Sequence, residues 1–181
     1  GDAELAGTAV RLPAVYGPRD YQHRFWSYLK RMDDGRRHII LQEGYAEWRF
    51  GYGYVENMGH ALALAVLDDR AAGRVYNAGQ REPWTQAALV RALAVATGWD
   101  GKILIAPKKS LPETMQEDAD FRQDMHTDTT RIREELGFRE VVETAVALQR
   151  TVEWQRVHPP ERHPDPFDYA TEDEIISEII S

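Results

Sequence analysis

The sequence predicts a layered α/β fold with parallel strand connections, and three observations carry that prediction. Short apolar, β-branched runs alternate along the chain with stretches whose apolar residues recur at three- and four-residue spacing. Turn and stop signals, Gly17-Pro18, Asp34-Gly35, Gly79, Gly98 and Gly137, punctuate the alternation. The first run, residues 8–15, is apolar without a polar face, which suits a strand buried on both sides of a parallel sheet. No internal repeat is present.

Taken in order, the strand at 8–15 ends at Gly17-Pro18. Phe25, Trp26, Tyr28, Leu29 and Met32 then recur at helical spacing, and Asp33-Asp34-Gly35 stops that helix. Residues 38–41 predict a short strand, followed by a turn at Glu43-Gly44 and an aromatic stretch over 45–54. Asn57 is expected to cap the next helix, in which Met58, Ala61, Leu62, Ala65 and Val66 share one face. A strand at 74–77 ends at Gly79. Thr85 then caps a helix with Ala88, Leu89, Ala92, Leu93 and Ala96 inward and Gly98 just past its end.

A strand at 102–106 leads through Pro107 into an irregular acidic loop reaching Thr127. Asp128 or Thr129 caps a short helix ending at Leu136-Gly137, and Val141, Ala145, Leu148 and Val152 mark a longer one reaching Trp154. Residues 1–157 thus form one unit. Residues 158–181 are a proline-rich acidic tail: a stiff spacer, then a capping-box pattern from Thr171 to Glu174 and a short helix bearing Ile175, Ile176, Ile179 and Ile180 on one side. Those isoleucines need a cover, either the chain's own core or a separate half or subunit.

Composition narrows the function. At 181 residues and 43% hydrophobic content the chain can bury a real core. No apolar run approaches a membrane span and no secretory signal is present, so a soluble, cytoplasmic protein is expected, without a membrane partner. Cysteine is absent, which removes disulfides, thiolate metal sites and a cysteine nucleophile. The net charge of −8 sits mostly in the tail, where seven acids face Arg162 alone, and no basic surface of the kind nucleic-acid binding needs is present. The six histidines form no metal constellation, and no serine lies in a Gly-x-Ser-x-Gly elbow.

Four stretches in order carry a family resemblance: RLPAVYGP (11–18), WRFGYGYVENMGHALALAV (48–66), RVYNAGQ (74–80) and DTTRIREELGF (128–138). Over residues 8–157 they resemble the C-terminal half of the NAD-dependent epimerase/dehydratase family, the extended short-chain dehydrogenase/reductases. The resemblance implies the C-terminal part of a Rossmann-type parallel sheet with a smaller α/β substrate-binding lobe, the lobe formed by 23–45 and 85–125. It also implies a nucleotide-binding half ahead of residue 1. The chain itself has no glycine-rich turn between a strand and a helix, and none of its tyrosines has a lysine four residues on. No catalytic residue is therefore assigned, and the isolated chain is expected to bind no cofactor and to turn nothing over.

The resemblance places Leu12, Pro13 and Ala14 at a strand end beneath the nicotinamide ring of NAD or NADP. It assigns a substrate pocket to Tyr16, Tyr21, Arg24, Trp48 and Arg49. The family's sugar-nucleotide epimerases usually carry asparagine where Ala14 stands, which weakens the match to a UDP-sugar. Arg49 is read either as a phosphate contact or as an exposed arginine stacked on Trp48. Glu56, Asn57 and Asn77 are read as capping or turn residues. The acids Glu113, Glu117, Asp118, Asp120 and Asp124 are read as a solvated loop.

The expected function is the substrate-binding part of an NAD(P)-dependent epimerase, dehydratase or dehydrogenase acting on a sugar or sugar-nucleotide-like substrate. Its partners would be the nucleotide-binding half or a second subunit, with homo-oligomerisation expected at the uncovered sheet edge. The alternative is a non-catalytic binding module that meets a partner through the acidic tail.

Overall fold

A computed structural model describes residues 6–181. The run predicted as one strand is two: β1 (Ala9–Arg11) and β2 (Ala14–Tyr16). The break has a covalent cause, because Pro13 has no amide hydrogen to give to a ladder. The chain changes partner there. β1 runs parallel to Val75–Asn77, whereas β2 runs parallel to Tyr52–Tyr54. Bonds from the Ala78 amide to the Arg11 carbonyl (2.9 Å) and from the Ala14 amide to the Gly51 carbonyl (3.3 Å) flank the switch.

Burial of this run on both faces is overturned. Ala9 and Arg11 are exposed, Leu12 is 41% exposed, and Tyr16 alone among the two strands is buried. Among the described residues no strand pairs with the second edge of β1.

α1 (Trp26–Asp33) follows, then β3 (His38–Gln42), β4 (Arg49–Phe50) and β5 (Tyr52–Tyr54). The aromatic stretch over 45–54 thus contains two short strands. α2 (Val55–Leu67), β6 (Val75–Asn77), β7 (Trp84–Thr85), α3 (Gln86–Thr97) and β8 (Lys102–Ala106) come next, and β3 pairs parallel with β8. After two 3-10 turns at 108–110 and 113–115 the chain runs irregularly to α4 (Thr130–Leu136), α5 (Thr144–Val157) and α6 (Tyr169–Ile180).

The strand pleat separates the lobe into layers. Ile39 and Leu41 of β3 pack with Leu29 and Met32 of α1, Leu89 and Leu93 of α3, and Leu148 and Val152 of α5. Ile40, on the opposite face, meets Ala106, Leu111 and Ile175 of α6. A second core joins Met58, Ala61 and Ala65 of α2 to Tyr76 of β6 and to Ile132, Leu136 and Phe138.

Several local expectations hold. The Thr85 hydroxyl accepts from the Ala88 amide at 3.1 Å, and Gly98 and Gly137 end their helices in the left-handed region at φ 74° and 70°. The Asp128 carboxylate receives the Thr130 amide at 2.8 Å, while Thr129 makes no side-chain cap.

Others are corrected. Leu62 and Val66 of α2 point outward at 40% and 81% exposure, so the buried stripe is the narrower Met58, Ala61, Ala65. In α3 the fully buried positions are Gln86, Ala87, Leu89, Val90 and Leu93, because α1 and α5 both pack on it. In α5 they are Ala147, Leu148, Thr151, Val152 and Gln155, with Val141 lying ahead of the helix and Ala145 exposed.

Asn57 does not cap α2. Its side chain lies within the first turn, 4% exposed, and spans to another segment: Oδ1 accepts from the amides of Val141 and Val142 at 2.9 and 2.8 Å, and Nδ2 donates to the Val142 carbonyl at 3.0 Å. It satisfies backbone groups that have no strand partner. Glu56 is exposed and accepts from Tyr54 and Arg150.

The tail folds back on its own chain. Asp168, not Thr171, caps α6, accepting the Thr171 amide at 3.2 Å. Ile175 is buried, whereas Ile179 and Ile180 remain exposed, so only part of the isoleucine set is covered. Glu172, 2% exposed, receives Nε and Nη2 of Arg31 at 3.0 and 2.7 Å, while Asp165 accepts from Nη1 and Nη2 and the Ser27 carbonyl accepts from Nη1 at 2.9 Å. Arg36 pairs with Asp173, and the Tyr169 hydroxyl donates to Asp34 at 2.6 Å. The tail's acidity is in part neutralised by α1 and the turn after it.

Two measurements follow from these contacts. Arg31→Ala leaves the buried Glu172 charge with only the Arg36 guanidinium at 3.9 Å and should cost about 3 kcal/mol, read as a lowered Tm with new proteolytic cleavage beyond residue 157. An unchanged Tm would show that the pair contributes nothing. Asn57→Ala removes three part-buried hydrogen bonds to the backbone of Val141 and Val142 and should cost about 1 kcal/mol in urea unfolding, with the slope m unaltered.

Candidate functional site

Where β2 enters its pairing with β5, the chain leaves a cleft with two adjoining lobes of about 340 and 300 Å³. Its walls come from widely separated parts of the sequence. Ala14 and Tyr52 stand at the paired strands, residues 22–28 form the turn into α1 and its first residues, Gln42 ends β3 with Tyr45 just after it, and Glu117 and His163 come from the two irregular segments.

The turn into α1 is built by Asp20. Its buried carboxylate accepts the amides of Gln22 and Arg24, each at 3.1 Å, and pairs with the Arg24 guanidinium. Arg24 also donates to the Val15 carbonyl at 2.7 Å, which ties this turn to β2. Gly17 permits the turn with φ 134°, a conformation that L side chains rarely adopt, and a Cβ there would lie 2.7 Å from Val55.

Deep in the cleft are two phenols whose hydroxyls lie 3.5 Å apart, Tyr28 and Tyr45. Burial pushes both well above the ordinary tyrosine range, so both stay protonated hydrogen-bonding groups at neutral pH. Tyr52 donates to the buried Gln86 at 3.2 Å, and its phenol is likewise raised by burial. Buried Gln42 clamps the segment at 117, accepting the Glu117 amide at 2.9 Å and donating to its carbonyl at 3.1 Å. The Glu117 carboxyl is pushed up, first by partial burial and then by the charge of Asp118. Burial lowers His163 below the ordinary imidazole value.

Of the residues the sequence nominated, Ala14 and Arg24 line this cleft. Tyr16 stands behind its wall, 3% exposed, among Phe25, Tyr52, Tyr54 and Trp84. Tyr21 is 82% exposed beside residues 160–164. Trp48 donates its indole N–H to the Gln123 carbonyl at 2.8 Å and packs with Tyr45, Phe50 and Phe121. Arg49 is exposed on β4, donating weakly to the Pro83 carbonyl at 3.4 Å. Leu12 and Pro13 sit at the strand switch and do not end a strand; Pro13 lies against Gly79.

Tyr28, Tyr45, Gln86 and His163 were not nominated. Gln86 carried a visible signal, a polar residue at the start of an otherwise apolar helix face. The others are brought to the cleft by packing alone. Among the described residues no group of three or more His, Asp or Glu could hold a metal ion, and no helix is long and apolar enough to cross a membrane.

Parallel pairs reached through helical crossovers, with a cleft beside the switching strand, define the class: the chain has the fold of the NAD-dependent epimerase/dehydratase proteins, the extended short-chain dehydrogenase/reductases, and matches their C-terminal portion. A UDP-glucose 4-epimerase from Thermotoga maritima, solved with UDP-glucose, superposes with a TM-score of 0.61 at 27% identity, covering 82% of this chain and 45% of that one.

In sequence, a dTDP-glucose 4,6-dehydratase of Streptomyces niveus is 31% identical over 146 residues, 78% of this chain and 39% of the relative. An uncharacterized Sinorhizobium fredii protein is 25% identical over 167 residues, 80% and 46% of the two chains. The chain therefore spans less than half the length of these relatives. No family model matches it.

A pH experiment reads the Glu117 environment. Its carboxyl is raised in the folded state, so its contribution to stability is present below the unfolded value, about 4.3, and is lost as pH rises through the folded one. Glu117→Gln should match the parent's Tm at pH 4 and exceed it at pH 7. Equal Tm at both values would place Glu117 in free solvent.

Proposed function

We propose that this chain is the substrate-binding portion of an NAD(P)-dependent epimerase or dehydratase acting on a sugar nucleotide. The observation that carries the reading is the position of the cleft. It opens at Ala14, where the strand passes from one parallel partner to another, in a fold matched at 27% identity by an epimerase holding UDP-glucose.

The chemistry of the cleft supports the same reading. Tyr28, Tyr45 and Gln86 offer neutral hydrogen-bonding groups around a half-apolar floor, a set suited to sugar hydroxyls, beside an Arg24 already paired with Asp20. The nearby aromatic group of Tyr45, Trp48, Phe50 and Phe121 gives flat apolar surface for a ring.

The nicotinamide cofactor supplies hydride transfer when bound. In this reading a nucleotide-binding portion holds it, and this chain contributes only the surface at Leu12, Pro13 and Ala14. Leu12, 41% exposed at the switch, fits an apolar contact, whereas the described residues offer no glycine-rich strand-to-helix turn for a pyrophosphate. The chain on its own binds and orients substrate and does not turn it over.

The test is a titration of UDP-glucose and of dTDP-glucose into the chain, followed by amide chemical shifts. Shifts should cluster on residues 22–28, Tyr45, Gln86 and Glu117. Shifts absent from the cleft with both compounds would sink the reading.

A further inference from the structure

We propose that the C-terminal strap, residues 158–168, is a wall of the ligand cleft, with His163 presenting a hydrogen-bond donor to a ligand hydroxyl. The proposal rests on the sugar-nucleotide reading and extends it to the tail.

His163 borders both lobes of the cleft and the adjoining hollow beside Tyr21. Its Nδ1 accepts the Asp165 amide at 3.1 Å, which places the ring proton on Nε2. That donor has no protein partner among the described residues. His23, which lines the same cleft, shows two departures from a settled side chain. Its backbone is left-handed at φ 46°, and its Nδ1 is buried without a hydrogen-bond partner. Its ring is meanwhile held by stacking on Trp154, with centroids 5.5 Å apart. A strained backbone and an unsatisfied buried nitrogen are features that functional sites retain. A sugar hydroxyl accepts as well as donates, so it can take the free His163 Nε2–H.

The strap is anchored by an ion cluster next to these rings. Asp165 and Glu172 close on the Arg31 guanidinium, and Phe167, itself at φ 52°, lies under the same cation at 5.1 Å from its ring centroid. Asp165 also receives the Phe167 amide at 2.9 Å, and Phe167 packs on His163 with centroids 5.5 Å apart. The ion cluster is a latch that seats His163.

UDP-glucose and, separately, dTDP-glucose are titrated by calorimetry into the full chain, His163→Ala and His163→Gln. His163→Ala should weaken whichever compound binds by about fivefold or more. His163→Gln, which keeps a donor, should recover most of that loss, and both variants should melt within about 2 °C of the parent. Equal affinity in all three proteins overturns the wall and leaves the sugar-nucleotide reading standing.

Binding of neither compound to the full chain removes that reading instead, and the wall is then decided without ligand. Hydrogen exchange across 22–28 and 114–117 should quicken by about threefold or more in Asp165→Asn, which cuts the latch. Unchanged exchange overturns the wall. Glu172→Gln cuts the same latch from the helix and decides between these two outcomes where Asp165→Asn does not fold.

Discussion

Parallel pairing is the constraint from which the remaining arrangement follows. Three strand pairs, β1 with β6, β2 with β5 and β3 with β8, are parallel, and no hairpin can close such a pair. Each must be joined by an excursion long enough to reverse direction twice. The excursion from β2 to β5 carries α1 and β3, and the one from β3 to β8 carries α2 and α3. The pairs interleave in sequence, so the lobe around β3 and β8 is tied at both ends to the strands of β1, β2, β5 and β6. Pro13 adds the local condition, dividing one apolar run into two strands with different partners.

The cleft is a product of this geometry. It forms where β2 begins its pairing with β5 and where the crossover into α1 must turn away, a turn secured by Asp20 and Gly17. The irregular segments after β8 and α5 then cover what regular structure leaves open. Gln42 fixes the first of them by its amide clamp on Glu117, and Arg31 fixes the second through Asp165 and Glu172. Burying a charge among charges of opposite sign is costly unless every donor is met, and the Arg31 fork meets two carboxylates. That pairing and the packing of Ile175 on Ile40, Ala106 and Leu111 together hold α6 in place.

Elements with local causes were legible in the sequence. Thr85 and Gly98 bound α3 because a hydroxyl cap and a left-handed glycine act within a few residues, and Gly137 closes α4 for the same reason. The strand at 102–106 matched its observed bounds. Faces that depend on which neighbours arrive were not legible. Periodicity put Leu62 and Val66 inward, yet α2 packs against Tyr76 of β6 and against α4 along a narrow stripe. The site divides in the same way. Ala14 and Arg24 lie within a recognisable strand and turn, whereas Tyr28, Tyr45, Glu117 and His163 are far apart in sequence, and none carries a motif.

The amino-acid sequence by itself determined the α/β alternation, most helix ends, the absence of thiol chemistry and the acidic character of the tail, because these depend on residue type and on contacts a few positions away. Tertiary structure decided which strands pair, that Asn57 bridges to Val141 and Val142 instead of capping, and that the tail's acids turn inward to Arg31 and Arg36. Each of those outcomes is a choice of partner across a large sequence separation. Such a choice is set by the requirement that buried amides, carbonyls and charges all be satisfied together.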